Sequence, residues 1–243
     1  MKKFYKLAIS ATVICLGLGV VDQVQAVNVT FSTSDQQFTE GTHNQGWWST
    51  YNSRPNYTDN FNDNYLTGSL RNITYRSYFT FHLGTLANQT ISSATLQIQR
   101  FIGFGNSVPT IGLFDVLTPA SNLNQKINNP DLDIYQDLGS GKNYGTFQVT
   151  SAGNSDEILS FALNSNAIAD INAAGREFFS IGATLQNNAD VGDQYLFGYS
   201  YGTPAQLVVT TADVPEPLTL GGTAIAGAMG WWLKRKRKAS STQ

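Results

Sequence analysis

The chain has 243 residues, of which 12% are aromatic and 13% are charged, and its formal net charge is −2. Eight of its 15 Lys and Arg residues, but only two of its 17 Asp and Glu residues, lie in residues 1–26 and 214–243. The central residues 27–213 therefore carry a net charge near −8. This acidity argues against nucleic acid as a partner, and against anionic lipid as a partner of the central region.

The N-terminal residues have the three parts of a secretory signal peptide. A lysine-rich start precedes the apolar segment 7–21, and small residues precede an expected signal peptidase site between Ala26 and Val27. Cleavage there would remove residues 1–26 and with them Cys15, the only cysteine of the chain. We therefore expect an exported domain without disulfides or thiolate metal sites.

Residues 27–213 have the composition of a single all-β domain, rich in Asn, Thr, Ser and Gly, with short alternating runs. We predict one jelly-roll-like β-sandwich with one short helix at 164–175, capped by Asn164 or Ser165 and ended by Gly175. Residues 32–67 and 118–142 are predicted as polar loops. The predicted strands cover 27–31, 76–83, 91–101, 110–117, 145–150, 157–163, 177–185, 195–199 and 205–211.

Two of these predicted strands share a pattern. An aromatic strand, Ser77-Tyr78-Phe79-Thr80-Phe81-His82-Leu83, is followed by Ile91-Ser92-Ser93-Ala94-Thr95-Leu96-Gln97-Ile98. The pair resembles a pattern in secreted jelly-roll domains, which include carbohydrate-binding and polysaccharide-associated β-sandwiches. Because most of the matching positions are core positions, the resemblance implies a fold and transfers no ligand residues.

Aromatic residues are concentrated in the segment 46–51, which reads Gly-Trp-Trp-Ser-Thr-Tyr. Flat aromatic faces bind the C–H surfaces of sugars, so Trp47, Trp48 and Tyr51 are candidate contacts for a glycan such as an extracellular polysaccharide. The alternative is that one or both tryptophans belong to the core of the sandwich, since tryptophan is highly buried on average.

The sequence lacks a Gly-x-Ser-x-Gly elbow, a His-Glu-x-x-His helix and a phosphate-binding glycine loop, so we expect no catalytic residues and no cofactor. His43 and His82 have no partner at metal-ligand spacing, and we expect no metal site at either. A hydrolase remains the alternative if carboxylates such as Asp63, Asp115 and Glu157 meet in three dimensions.

Calcium is the one ion for which the sequence offers donors. Segments 60–64 and 128–133 are rich in Asn and Asp, whose oxygens are ligands that calcium uses. Neither segment has the spacing of an EF-hand, and such clusters also form ordinary turns. Calcium is therefore only a weak alternative to the expectation of no cofactor.

The C-terminal residues 214–238 combine three signals in a fixed order. A Pro-Glu-Pro motif in segment 214–217 precedes the apolar run 218–233, which would span about 24 Å as a helix. That length is short for a bilayer, but flanking tryptophans and lysines extend the reach of such a transmembrane helix. A stop of five cations follows, which we expect to stay on the cytoplasmic side: Lys234, Arg235, Lys236, Arg237 and Lys238.

This tail resembles the PEP-CTERM sorting signal of exported bacterial proteins. The resemblance implies that an exosortase, a membrane-embedded transpeptidase-like enzyme, recognises Pro215, Glu216 and Pro217. It further implies export across the inner membrane, transient anchoring in the membrane, and release to the cell surface or extracellular matrix of a biofilm. The alternative is a membrane anchor that is never cleaved.

Overall fold

The computed structural model describes residues 26–51, 54–58, 63–86, 89–105, 108–126, 131–175, 177–186, 192–200 and 202–211, and the side chains of all these ranges except 54–58. Residues 1–25 of the predicted signal peptide and residues 214–238, the predicted sorting tail, lie outside these ranges. Three helices are present there: α1 (Ala120–Leu123), α2 (Leu132–Asp137) and α3 (Ser165–Ala174). The strands are β1 (Asn28–Ser32), β2 (Gln45–Tyr51), β3 (Arg54–Thr58), β4 (Thr67–Leu70), β5 (Ile73–His82), β6 (Ile91–Gln99), β7 (Ile102–Phe104), β8 (Thr110–Asp115), β9 (Asn143–Gln148), β10 (Ile158–Ala162), β11 (Phe178–Leu185), β12 (Gln194–Gly198) and β13 (Gln206–Thr211).

These strands form two antiparallel sheets. The small sheet has the order β1-β13-β6-β10, and the large sheet has the order β7-β12-β4-β5-β11-β8-β9. Strand β5 is the centre of the large sheet, because β4 and β11 pair with successive parts of one edge while β2 pairs along the other edge. Strand β3 continues the sheet beyond β2.

The apolar core lies between the two sheets. Leu96 and Ile98 of the small sheet and Phe79 and Phe81 of the large sheet are all fully buried in one cluster, to which α3 adds Ile171. Alternation of side chains along each strand produces this arrangement, because every second residue faces the opposite sheet. The expected all-β class is confirmed, and the two sheets enclose their core as a sandwich does.

The outer face of the large sheet is also covered in part. Trp48 and Tyr78 form a second buried cluster with Leu123 of α1, Ile134 of α2 and Leu138, the C-cap of α2. The predicted polar loop at 118–142 was therefore wrong, since it contains both helices. Ile134 and Leu138 lie four residues apart, on one side of α2, and bury that side against the sheet.

The other predicted loop, 32–67, was also wrong, because it contains β2 and β3. Polar residues of β2 are buried by hydrogen bonding and packing, which hides the strand from a reading based on hydrophobic alternation. The predicted helix at 164–175 is confirmed as α3, whose N-cap is the Asn164 side chain. In the part of the chain that the structure describes, no helix is long and apolar enough to cross a membrane.

Candidate functional site

Strand β2 turns its two tryptophans to opposite faces of the large sheet. Trp47 lies opposite Ser77 and Trp48 opposite Arg76, so the alternation of β5 separates them. Trp48 is 1% exposed and packs in the outer cluster, whereas Trp47 is half-buried. Trp48 therefore belongs to the buried interior, which is one of the two alternatives that the sequence left open. Of the three predicted glycan contacts, Trp48 is no longer a candidate.

Trp47 lines an open groove of ≈ 190 Å³ together with Tyr195 and Tyr199. Tyr51 does not line this groove; it lies at the far end of β2, opposite Ile73, and is 48% exposed. The lining carries no charged side chain among the described residues. Its other members are Asn64, Tyr65, Leu66, Leu70 and Gly198.

Two glycines allow the groove strands to approach one another. A Cβ at Gly68, where φ is +128°, would lie 2.2 Å from the Gln194 carbonyl oxygen, so β4 can pair with β12 only with glycine there. A Cβ at Gly198 would lie 2.6 Å from Cε2 of Tyr195. The Tyr195 ring therefore lies directly over Gly198, at the edge of the groove.

The groove aromatics are held by other rings. Trp47 meets Tyr75 edge to face, with ring centroids 5.0 Å apart. Tyr195 stacks on Phe104 of β7 at 6.0 Å and an interplanar angle of 20°, which extends the aromatic surface beyond the groove. Tyr199 is 62% exposed and has a φ of 60°, a conformation that non-glycine residues adopt rarely and that is enriched at functional sites.

A buried glutamine joins the loops behind the groove. Gln45 Nε2 donates to the carbonyl oxygens of Asp63 and Thr203, and its Oε1 accepts from the Ala205 backbone N–H. The Asn64 side chain in turn accepts from the Gly202 backbone N–H. These bonds tie the segment before β4 to the segment after β12, and so fix the two sides of the groove relative to each other.

The electrostatics of the groove favour neutral groups. Burial raises the pKa of Tyr195, and the neighbouring Tyr199 and Asp193 raise it further. Burial also raises the pKa of Tyr65 far above its ordinary value. Both phenols stay uncharged at neutral pH. The Tyr65 hydroxyl makes no hydrogen bond in the part of the chain that the structure describes, which is unusual for a buried polar atom.

The two histidines lie apart from this groove. His43 donates from Nδ1 to the Gly202 carbonyl oxygen at 2.7 Å and lies 3.4 Å from the Asp63 carboxylate, which is also near Lys126. His82 packs against the Phe178 ring. Among the described residues no three His, Cys, Asp or Glu side chains are grouped so that they could hold a metal ion.

The calcium candidates have local roles where the structure describes them. Asp131 accepts from the backbone N–H groups of Asp133 and Ile134 and so forms the N-cap of α2. This is the turn-forming alternative for segment 128–133, of which 128–130 lie outside the described residues. Within segment 60–64, only Asp63 and Asn64 are described.

Each of the three carboxylates proposed for hydrolysis has its own partners. Asp115 accepts from the Lys142 backbone N–H, Glu157 pairs with Arg100 at 2.7 Å, and Asp63 faces His43 and Lys126. No partner is shared between any two of them in the described part of the chain. The structure therefore offers an individual structural role for each carboxylate.

Comparisons with known proteins add no family to these observations. No protein-family model matches the sequence, and no curated protein matches it significantly. The resemblance of the tail to a sorting signal therefore depends on residues 214–238 alone. Those residues lie outside the described ranges, whereas Ala26 and Val27, which flank the predicted cleavage site, lie within them.

Sequence reasoning missed most of the groove. The sequence analysis predicts a strand that contains Tyr195 and Tyr199, but it names neither tyrosine, nor Phe104, as a candidate site residue. The available signal was the spacing Tyr-x-x-x-Tyr at 195–199, near the end of a strand and rich in aromatics. That signal does not say which strand lies beside Trp47, because the pairing of β12 with β4 and β7 is a tertiary contact.

Proposed function

We propose that the protein is an exported, surface-sorted, non-enzymatic component of an extracellular polysaccharide matrix or cell envelope, and that it contacts neutral glycan through the aromatic groove. On this proposal signal peptidase removes residues 1–26 and an exosortase processes the tail at Pro215, Glu216 and Pro217. The body 27–213, a jelly-roll-like sandwich, is then delivered to the cell surface.

The aromatic groove is the observation that carries the glycan-binding part of the proposal. Trp47, Tyr195 and Tyr199 present rings at an open surface, beside the amide of Asn64. Sugar rings stack their C–H faces on aromatic rings, and amides and phenols bond to their hydroxyls.

The charge around the groove indicates which glycans fit. Its described lining is uncharged, and Asp193 is close enough to Tyr195 to raise its pKa. An anionic sugar would meet the Asp193 carboxylate and find no cation among the lining residues. The ligand expected there is therefore a neutral hexose chain rather than a uronate or a sulfated polymer.

Substitution of the groove aromatics tests the binding. We expect Trp47→Ala and Tyr199→Ala each to weaken retention by a neutral polysaccharide in affinity electrophoresis by about tenfold, as loss of a stacking ring does. Tyr51→Ala is the matched control, since it removes an exposed aromatic from the same strand outside the groove. Unchanged binding by both groove variants would contradict glycan recognition at this site.

The sorting part of the proposal has a separate test. Intact mass of the protein from its native host, with membrane and medium analysed apart, should show a species that begins near Val27 and ends at or just before the Pro-Glu-Pro motif. A membrane species that keeps residues 234–238 would instead mean a tail anchor. Turnover of any polysaccharide by the purified body would contradict the non-enzymatic assignment.

A further inference from the structure

A second, larger pocket lies on the outer face of the large sheet, on the side to which Trp48 points. It has a volume of ≈ 490 Å³, within the range of about 300–1,000 Å³ typical of ligand pockets. Its floor is polar and comes from adjacent strands, since Thr50 of β2 lies opposite Thr74 of β5. The remaining lining residues are Asn72, Arg76, Leu132, Tyr135 and Gln136.

Arg76 is the charged group of this pocket, and its guanidinium is held in place. Its Nη1 donates to the carbonyl oxygens of Tyr135 at 2.9 Å and of Gln136 at 3.0 Å, and its Cζ lies 4.3 Å from the centre of the Tyr135 ring. On its other side Gly139 leaves room, because a Cβ there would lie 2.6 Å from Cζ. The guanidinium is thus oriented before any ligand arrives.

Arg76 has no carboxylate partner in the part of the chain that the structure describes. Arg100, Lys126 and Lys142 each pair with an acidic residue, in a body whose net charge is near −8. Arg76 Nε, moreover, makes no hydrogen bond there. With Nη1 occupied by backbone carbonyls and Nε buried, Nη2 is the donor that remains for a carboxylate, and the guanidinium charge strengthens that hydrogen bond.

We propose that this pocket binds a saccharide unit that carries a carboxylate, with the acid on Arg76 and the sugar hydroxyls on Thr50, Thr74 and Asn72. An anion alone would need no pocket of this size or a floor of hydroxyl and amide groups. The inference goes beyond neutral-glycan binding in the groove and does not depend on it. It shares with the proposed function only the setting, an exported domain among polysaccharides.

Titration calorimetry of the full chain, purified in detergent, tests this directly. Glucuronate and short oligouronates are compared with glucose at equal ionic strength. We expect glucuronate to bind at least about tenfold more tightly than glucose, as charge-assisted hydrogen bonds predict, and to weaken with added salt. Equal affinity for the two sugars would overturn the proposal, as would no measurable binding of oligouronates.

Variants separate recognition from folding. Arg76→Met keeps packing against Tyr135 but removes the charge, and we expect uronate binding to fall about tenfold or more. Lys142→Gln removes one positive charge elsewhere and should leave uronate binding unchanged. Arg76→Lys should recover only part of the affinity, because a lysine ammonium lacks the planar guanidinium group that bonds the backbone carbonyls and the ligand at the same time. If Arg76→Met destabilises α2, Thr74→Val provides a second variant that keeps the Arg76 charge. Normal uronate affinity of Thr74→Val would contradict the assignment of a sugar hydroxyl to Thr74. Equal affinity for acetate would contradict the saccharide part.

Discussion

The aromatic groove and the Arg76 pocket lie on opposite faces of the same sheet and differ in almost every property. Trp47 faces the groove, whose lining is uncharged and aromatic. Its neighbour Trp48 faces the other side, where Thr50 and Arg76 lead into a polar pocket. The residues of one β-strand thus supply two surfaces of contrasting chemistry, because successive side chains of a strand point to opposite faces.

Two adjacent residues of β2 differ completely in their exposure to a ligand. Trp48 is 1% exposed beneath α2, and Trp47 lines an open groove. An adjacent pair of tryptophans in a sequence is easily read as one platform. On a strand the pair is split, and only one of its members can belong to any given surface.

The largest expected difference between the two faces is in stability. Trp48→Ala should lower the free energy of unfolding by about 3–5 kcal/mol, since it opens a cavity beneath α2. Trp47→Ala should cost about 1–2 kcal/mol, mainly the edge-to-face contact with Tyr75. Urea denaturation of both variants measures the two values. Similar losses would mean that Trp47 is a core residue and would weaken the case for the groove.

Two glycine substitutions, with an intermediate expected effect on stability, test whether the aromatic groove and the Arg76 pocket are independent sites. Gly198→Ala places a Cβ 2.6 Å from the Tyr195 ring, and Gly139→Ala places one 2.6 Å from Arg76 Cζ. Each should cost about 1–3 kcal/mol through local overpacking. We expect Gly198→Ala to weaken neutral-glycan binding alone and Gly139→Ala to weaken uronate binding alone. Both variants are titrated with both ligands, so that each variant is the control for the other. Loss of both neutral-glycan binding and uronate binding in either variant would show that the two sites are not independent.

Tyr65→Phe should have the smallest effect at neutral pH. The buried hydroxyl has no partner among described residues, so its removal should leave stability at pH 7 almost unchanged. The difference appears in alkali. Burial raises the pKa of Tyr65 in the folded state above that of about 10 in the unfolded chain. The protonated Tyr65 phenol therefore makes its full contribution to the free energy of unfolding below pH 10. That contribution falls as the pH rises above 10, because the phenol loses its proton in the unfolded state but keeps it in the folded state.

Thermal unfolding of the wild type and Tyr65→Phe at pH 8 and pH 10.5 checks this sign. The variant should lose less stability between the two pH values than the wild type does. Some alkaline loss should remain, because burial and the Asp170 carboxylate raise the pKa of Tyr144 as well. An identical loss in both proteins would mean that the Tyr65 hydroxyl reaches solvent in the folded state.

Local sequence patterns predicted the all-β class, most strand positions and the helix at 164–175, which the structure shows as Ser165–Ala174. Alternation of period two and the Asn164 cap are local signals, and local signals survive in any tertiary context. The export and sorting interpretation also comes from sequence alone, since it depends on short linear motifs read by other proteins. It stays a prediction for residues 1–26 and 214–238.

The positions of the two sites depend on tertiary contacts. The tertiary structure placed Tyr195 and Tyr199 beside Trp47, although about 150 residues separate them, and it covered Trp48 with helices from a segment that the sequence presented as a loop. Arg76 was an ordinary strand residue until α2 supplied carbonyls and a ring around its guanidinium. Strand order and sheet packing depend on long-range burial rather than on local periodicity, which is why the sequence pattern located the strands but not the surfaces they form.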